Sequence, residues 1–245
     1  MKLPQDIHYN YRLSEIIFNP TPYPKNLKHI ISEHFPNSIA ANYINLIKSY
    51  PEINESINKL GNHSIHSLNN LDQQLLFSIF KILKQSISQS FPEIILSKQC
   101  DRTSIHCRVG DVIDCCQNHS VSDHLKNSID SADCCDIKND QDTPLSIINK
   151  NSFYVRPASY FSSLKLSGNV FLVCGGCFSS FVDHQKSLQY INSVTQFLST
   201  KNINLNVRYN NCADSDFLFM IQSKKFVSSS GRFSELISYF RKFLF

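Results

Sequence analysis

Ser104-Ile105-His106-Cys107-Arg108-Val109-Gly110-Asp111-Val112-Ile113-Asp114 is the stretch on which the reading of this chain turns. Ile105, Cys107 and Val109 alternate with His106 and Arg108, the period of two of a β-strand with one apolar and one polar face. Gly110 then permits a tight turn. A planar, permanently charged guanidinium at the polar end of a strand is suited to gripping phosphate oxygens at two points. The same pattern also fits a half-buried strand whose Arg108 pairs with Asp111.

Downstream of this strand the pattern becomes regular. A short helix is predicted over 158–165, opened by Pro157, and the near-continuous apolar run 169–174 suits a strand buried on both faces. A helix over 183–200 carries Leu188, Ile191, Val194 and Leu198 on one side. A strand over 203–208, a helix over 214–223, a short strand over 226–228 and a last helix over 233–244 follow. Such alternation predicts an α/β fold, a Rossmann-like open parallel sheet with helices on both faces. Ligands of such sheets sit beyond the carboxyl ends of the strands.

Upstream the signals are helical. Apolar residues recur at helical spacing over 27–34 and 39–50, punctuated by Pro36 and Pro51. Residues 71–87 place Leu71, Leu75, Leu76, Ile79, Phe80 and Leu83 on one stripe, a core-facing amphipathic helix. His63 and His66 lie in a polar patch and read as solvent-facing. The chain thus divides into a mainly helical region, 1–100, and a sheet domain, 101–245, with a polar insertion at 115–152.

At 245 residues and 42% apolar content the chain can bury a sizeable core. A net charge of +4 without a Lys/Arg run argues against nucleic acid as a partner. Met1 to Asn10 holds no apolar segment, and no run approaches a membrane span, so a soluble, cytoplasmic protein is expected. Nine cysteines without a short-loop framework read as reduced thiols. The adjacent pairs Cys115-Cys116 and Cys134-Cys135 lack the two-residue spacing of zinc knuckles, and no metal is expected.

Three further segments could carry chemistry. Ser228-Ser229-Ser230-Gly231-Arg232-Phe233-Ser234 joins a strand to a helix, where backbone N–H groups, hydroxyls and a permissive glycine make an anion site or an ordinary helix cap. Asp214 and Asp216 stand at a helix start, either as caps or as acceptors for the base or ribose of a nucleotide. Cys174-Gly175-Gly176-Cys177 has redox-dithiol spacing, but it does not open the following helix; the glycines let the chain turn closely past a ligand. The three-glycine dinucleotide fingerprint is absent, which disfavours a nicotinamide cofactor.

His106-Cys-Arg108-Val-Gly110-Asp111 resembles the H-x-R-x-G-D signature of the fucosyltransferase superfamily, the α1,2-, α1,6- and protein O-fucosyltransferases. Asp214-Ser-Asp216-Phe-Leu-Phe-Met, followed by Lys225-Phe-Val-Ser-Ser-Ser-Gly-Arg-Phe-Ser, resembles that superfamily's later segment; the likeness covers about 102–245. It implies a GT-B glycosyltransferase that moves fucose from GDP-fucose, or a related sugar from another GDP-sugar, to a glycan or protein hydroxyl. Transfer would proceed with inversion and without a metal or other cofactor. By position, Arg108 would meet the β-phosphate and stabilise the departing GDP, and His106 would help to hold the nucleotide. Asp214 would sit near guanine or ribose, with Asp216 beside it. Ser229, Ser230, Gly231 and Ser234 would surround the phosphates, while Gly110, Gly175 and Gly176 would let the backbone approach. Asp111 or Asp114 would activate the acceptor. Against the family pattern, the N-terminal region is short, helical and without a glycine-rich loop. A nucleotide-sugar binder that has lost transfer, and a thiol redox protein using Cys174 and Cys177, are the alternatives.

Overall fold

The computed structural model describes residues 13–18, 26–60, 71–114, 116, 118–127, 129–130, 154–175, 184–229 and 231–245. Five helices come first: α1 (Leu13–Phe18), α2 (Leu27–His34), α3 (Ile39–Ile47), α4 (Pro51–Leu60) and α5 (Gln73–Ser90). They lead to β1 (Cys100–Cys107), α6 (Asp111–Asp114), α7 (Val121–Lys126) and a small antiparallel pair, β2 (Ile129–Asp130) with β3 (Tyr154–Val155). The remainder alternates: α8 (Ala158–Ser163), β4 (Asn169–Cys174), α9 (Gln185–Ser199), β5 (Asn204–Tyr209), α10 (Ala213–Ile221), β6 (Ser223–Val227) and α11 (Arg232–Leu244).

Four strands form one sheet in the order β5-β4-β1-β6, every neighbouring pair parallel. This is the α/β, Rossmann-like arrangement expected from the alternation. The chain runs from β1 outward through β4 to β5, then returns past β1 to lay β6 on its other side. A crevice is left where the direction of winding reverses, at the carboxyl ends of β1 and β6.

The alternation read in β1 sorts its side chains between two cores. Register pairs Ile105 with Leu172 and Cys107 with Cys174, and these residues share a core with Val170, Phe161, Tyr190 and Val194 from α8, α9 and β4. On the opposite face Val173, in register with His106, joins the core formed by α1–α5, α10 and α11. Among the described residues no helix is long and apolar enough to cross a membrane.

That second core draws on residues from both sides of residue 100. Leu13, Ile31, Tyr43, Ile79 and Leu83 are buried together with Phe217, Leu236 and Phe240 from the other end of the chain. The Phe80 ring meets those of Phe240 and Phe243 at 5.4 and 5.7 Å. The N-terminal helices are thus one layer of the α/β/α stack.

Two local expectations also change. The helix read as 39–50 ends at Ile47, and a new one starts at Pro51. Proline at the first helical position lacks only an N–H that would be unpaired anyway. Within the polar insertion, Ser120 and Asp123 form a reciprocal capping box that starts α7. Its buried His124 and the partly buried Val121 and Leu125 turn toward α9. His63, His66 and Cys134-Cys135 lie outside the described residues.

Candidate functional site

The polar face of β1 ends at the crevice. His106 is 8% exposed, and its Nδ1 lies 2.6 Å from Ser234 Oγ and 2.8 Å from Ser229 Oγ. One strand end, the loop after β6 and the first turn of α11 therefore meet on a single ring nitrogen. Burial, reinforced by the Arg108 cation, pushes the imidazole down to about 3, so the ring is neutral at physiological pH. A neutral ring can offer one of its nitrogens as acceptor to a hydroxyl, a role closed to imidazolium. The Phe233 ring stands edge-on to it at 5.8 Å.

Beside this cluster a pocket opens. His106 and Arg108 line it at the carboxyl end of β1 and Gly175 just past β4, while Asn211 and Asp216 give it polar walls and Met220 and Phe233 apolar ones. The N-termini of α10 and α11 contribute to these walls, and helix N-termini favour anions. Asp216 offsets that field in part. Its Oδ1 accepts from Arg208 Nε at 3.1 Å and Nη2 at 3.0 Å. Burial outweighs the ion pair and raises the carboxyl to about 6.

Several residues read from the sequence serve the scaffold. Asp214, 2% exposed, accepts the Ile39 backbone N–H at 3.0 Å, and so holds the start of α3. That is a cap contributed from 175 residues away, on the helical-layer side of α10. The Asp114 side chain is fully buried; it accepts from the Ser187 backbone N–H at 2.9 Å and from Ser187 Oγ at 2.7 Å, fixing the start of α9. Gly110 takes a φ of 85°, as its turn requires, and its N–H donates to Ser187 Oγ at 2.8 Å. Gly231, at φ 92°, precedes α11 and is buried. Of Asp111 only the helical backbone is described, and Gly176, Cys177 and Ser230 lie outside the described residues.

Cys174 faces the other core, in register with Cys107 and hydrogen-bonded to it. Burial first, and Cys107 second, push its thiol well up, the opposite of what a redox nucleophile needs. Among the described residues no group of three or more His, Cys, Asp or Glu is placed to hold a metal ion.

Sequence reasoning missed Asn211, Met220 and Arg208. Arg208 had a usable signal: in a strand read as 203–208 it faces the same side as Val173 opposite it, and Asp216 follows eight residues later. Comparison with protein families, with curated proteins and with solved structures finds no match to this chain. What fold and site define is a Rossmann-like α/β protein with a pocket beyond the carboxyl ends of β1 and β4, lined by His106, Arg108 and Asp216.

Proposed function

We propose that this chain binds a nucleoside-diphosphate sugar in the pocket beside Arg108 and transfers the sugar to a hydroxyl acceptor, as a glycosyltransferase of the fucosyltransferase type with a GDP-sugar as donor. The observation that carries this reading is the meeting of His106 with Ser229 and Ser234 at the winding reversal, next to Arg108. In this reading Arg108 neutralises charge on the departing diphosphate, and the first turn of α11 supplies fixed dipoles that need no reorganisation. His106 stays neutral and holds the serine-bearing loop where the phosphates would lie. The sheet described here would be the donor-binding half of a GT-B arrangement.

Acceptor activation falls to Asp111 in this reading, because Asp114 is committed to Ser187. That commitment also favours the second reading, a nucleotide-sugar binder without transfer. Calorimetry with GDP, GDP-fucose and UDP tests the first step: GDP binding that exceeds UDP binding and is lost in Arg108→Ala supports both readings. The absence of any guanine preference would reject both. Donor turnover with a glycan array then separates transferase from binder.

A further inference from the structure

Arg156 reaches the same loop by one hydrogen bond and is braced there by two tyrosines. Its Nη2 donates to the Ser229 carbonyl at 2.8 Å, and its guanidinium lies over the Tyr160 ring, 4.7 Å from the centroid. The Tyr160 hydroxyl donates to the Ser228 carbonyl at 2.6 Å, and the Tyr190 hydroxyl donates to the Arg156 carbonyl. Both tyrosines belong to the layer on the far side of the sheet from α10 and α11. The Arg156 Nε–H is shut off from water and has no acceptor among the described residues. A buried, charged N–H without an acceptor is costly, and a phosphate oxygen is the acceptor best matched to a guanidinium fork.

We propose that Arg156 is the second cation of the site, binding the terminal phosphate of a nucleoside diphosphate from across the 228–229 loop while Arg108 approaches from the pocket side. This rests on the nucleotide-sugar reading above and extends it: the ligand carries two phosphates, and the site spans them with one arginine on each flank. The carbonyl of Ser229 holds Arg156, and the hydroxyl of the same residue holds His106, so one residue couples both flanks.

Titration of the full chain with GDP and with GMP, in the wild type, Arg156→Gln and Arg156→Lys, tests it. The expected result is a loss of about tenfold or more in GDP affinity for Arg156→Gln against less than threefold for GMP, partly restored in Arg156→Lys. Equal losses for the two nucleotides, or none for either, would overturn the proposal and leave Arg156 as a loop clamp. Urea unfolding of the same variants shows whether each is folded, and the lysine variant keeps the test decisive if the glutamine one is not. A wild-type chain with no affinity for GDP would reject the nucleotide-sugar reading itself, an outcome distinct from unselective losses in the variants.

Discussion

The two faces of the central sheet differ in what they do with β1. On one face Ile105 and Cys107 enter a dry core closed by Tyr190, Val194 and Phe161. On the other, Arg102, Ser104 and His106 stand in sequence up the strand, with Arg108 just beyond its end, beneath the helices of the second core. A buried polar row is costly unless each group is engaged. At the lower end Arg102 is absorbed by structure: it donates to the Phe219 carbonyl and to Ser223 Oγ, and lies over the Phe219 ring at 3.6 Å. At the upper end His106 and Arg108 open onto a pocket. Burial of a charged residue is thus a poor guide to function by itself; what separates the two arginines is that Arg102 is held by the Phe219 carbonyl and the Ser223 hydroxyl, whereas Arg108 lines a pocket.

That contrast can be broken in several places. The largest effect is expected on the dry face: Leu172→Ala removes a fully buried side chain from β4 and should lower unfolding free energy by about 2–5 kcal/mol, without altering GDP affinity of the folded fraction. A large affinity change in that variant would show that the faces are not separable. On the polar face Arg108→Ala should weaken GDP by about ten- to a hundredfold, as loss of a charge-assisted contact implies. Titration calorimetry reads it, and unchanged affinity would remove Arg108 from the site.

Asp214→Ala should cost about 1–3 kcal/mol by leaving the Ile39 N–H without its acceptor, with GDP binding intact. A selective loss of nucleotide affinity would restore the base-binding role that the family resemblance implies.

The smallest effect concerns pH. His106 falls from 6.5 to about 3 on folding, so its contribution to stability is complete above about pH 6.5 and is lost as pH drops. Buried His124, pushed down to about 4 chiefly by desolvation, acts in the same sense. Asp216 rises from 3.8 to about 6, so the folded state keeps its proton longer, and stability declines as pH climbs through that window. The slopes oppose each other between about pH 4 and 6. Asp216→Asn should therefore steepen the rise of stability with pH, and His106→Gln should flatten it, in urea unfolding at about pH 4.5, 5.5 and 6.5. Parallel curves for wild type and both variants would refute the assignment.

Much of the framework was legible because it rests on local periodicity. The helix over 27–34 and the strand over 169–174 coincide with α2 and β4, and the facing of His106 and Arg108 away from Ile105 and Cys107 follows from alternation alone. Pro51 was misleading since the residue that ends one helix can open the next. Ser120 and Asp123 hid a helix inside a segment whose composition reads as loop. The site was legible as residue types but not as partnerships. Nothing near Asp214 announces Ile39, and nothing near Asp114 announces Ser187, because each carboxylate finds its donor through tertiary packing. Ser229 and Ser234 were read as phosphate ligands, whereas their hydroxyls also converge on an imidazole from a strand more than a hundred residues earlier.

The bond from Asp214 to Ile39 also bears on synthesis. With 175 residues between acceptor and donor, α3 leaves the ribosome with its local Ser38 cap but long before the Asp214 acceptor for Ile39 exists, a delay on the order of ten to thirty seconds at typical elongation rates. Until then the apolar stripes of the first five helices have no α10 or α11 to close over them. Nascent chains halted before residue 213 should accordingly be caught by chaperones that bind exposed apolar surface, and the completed chain should escape them.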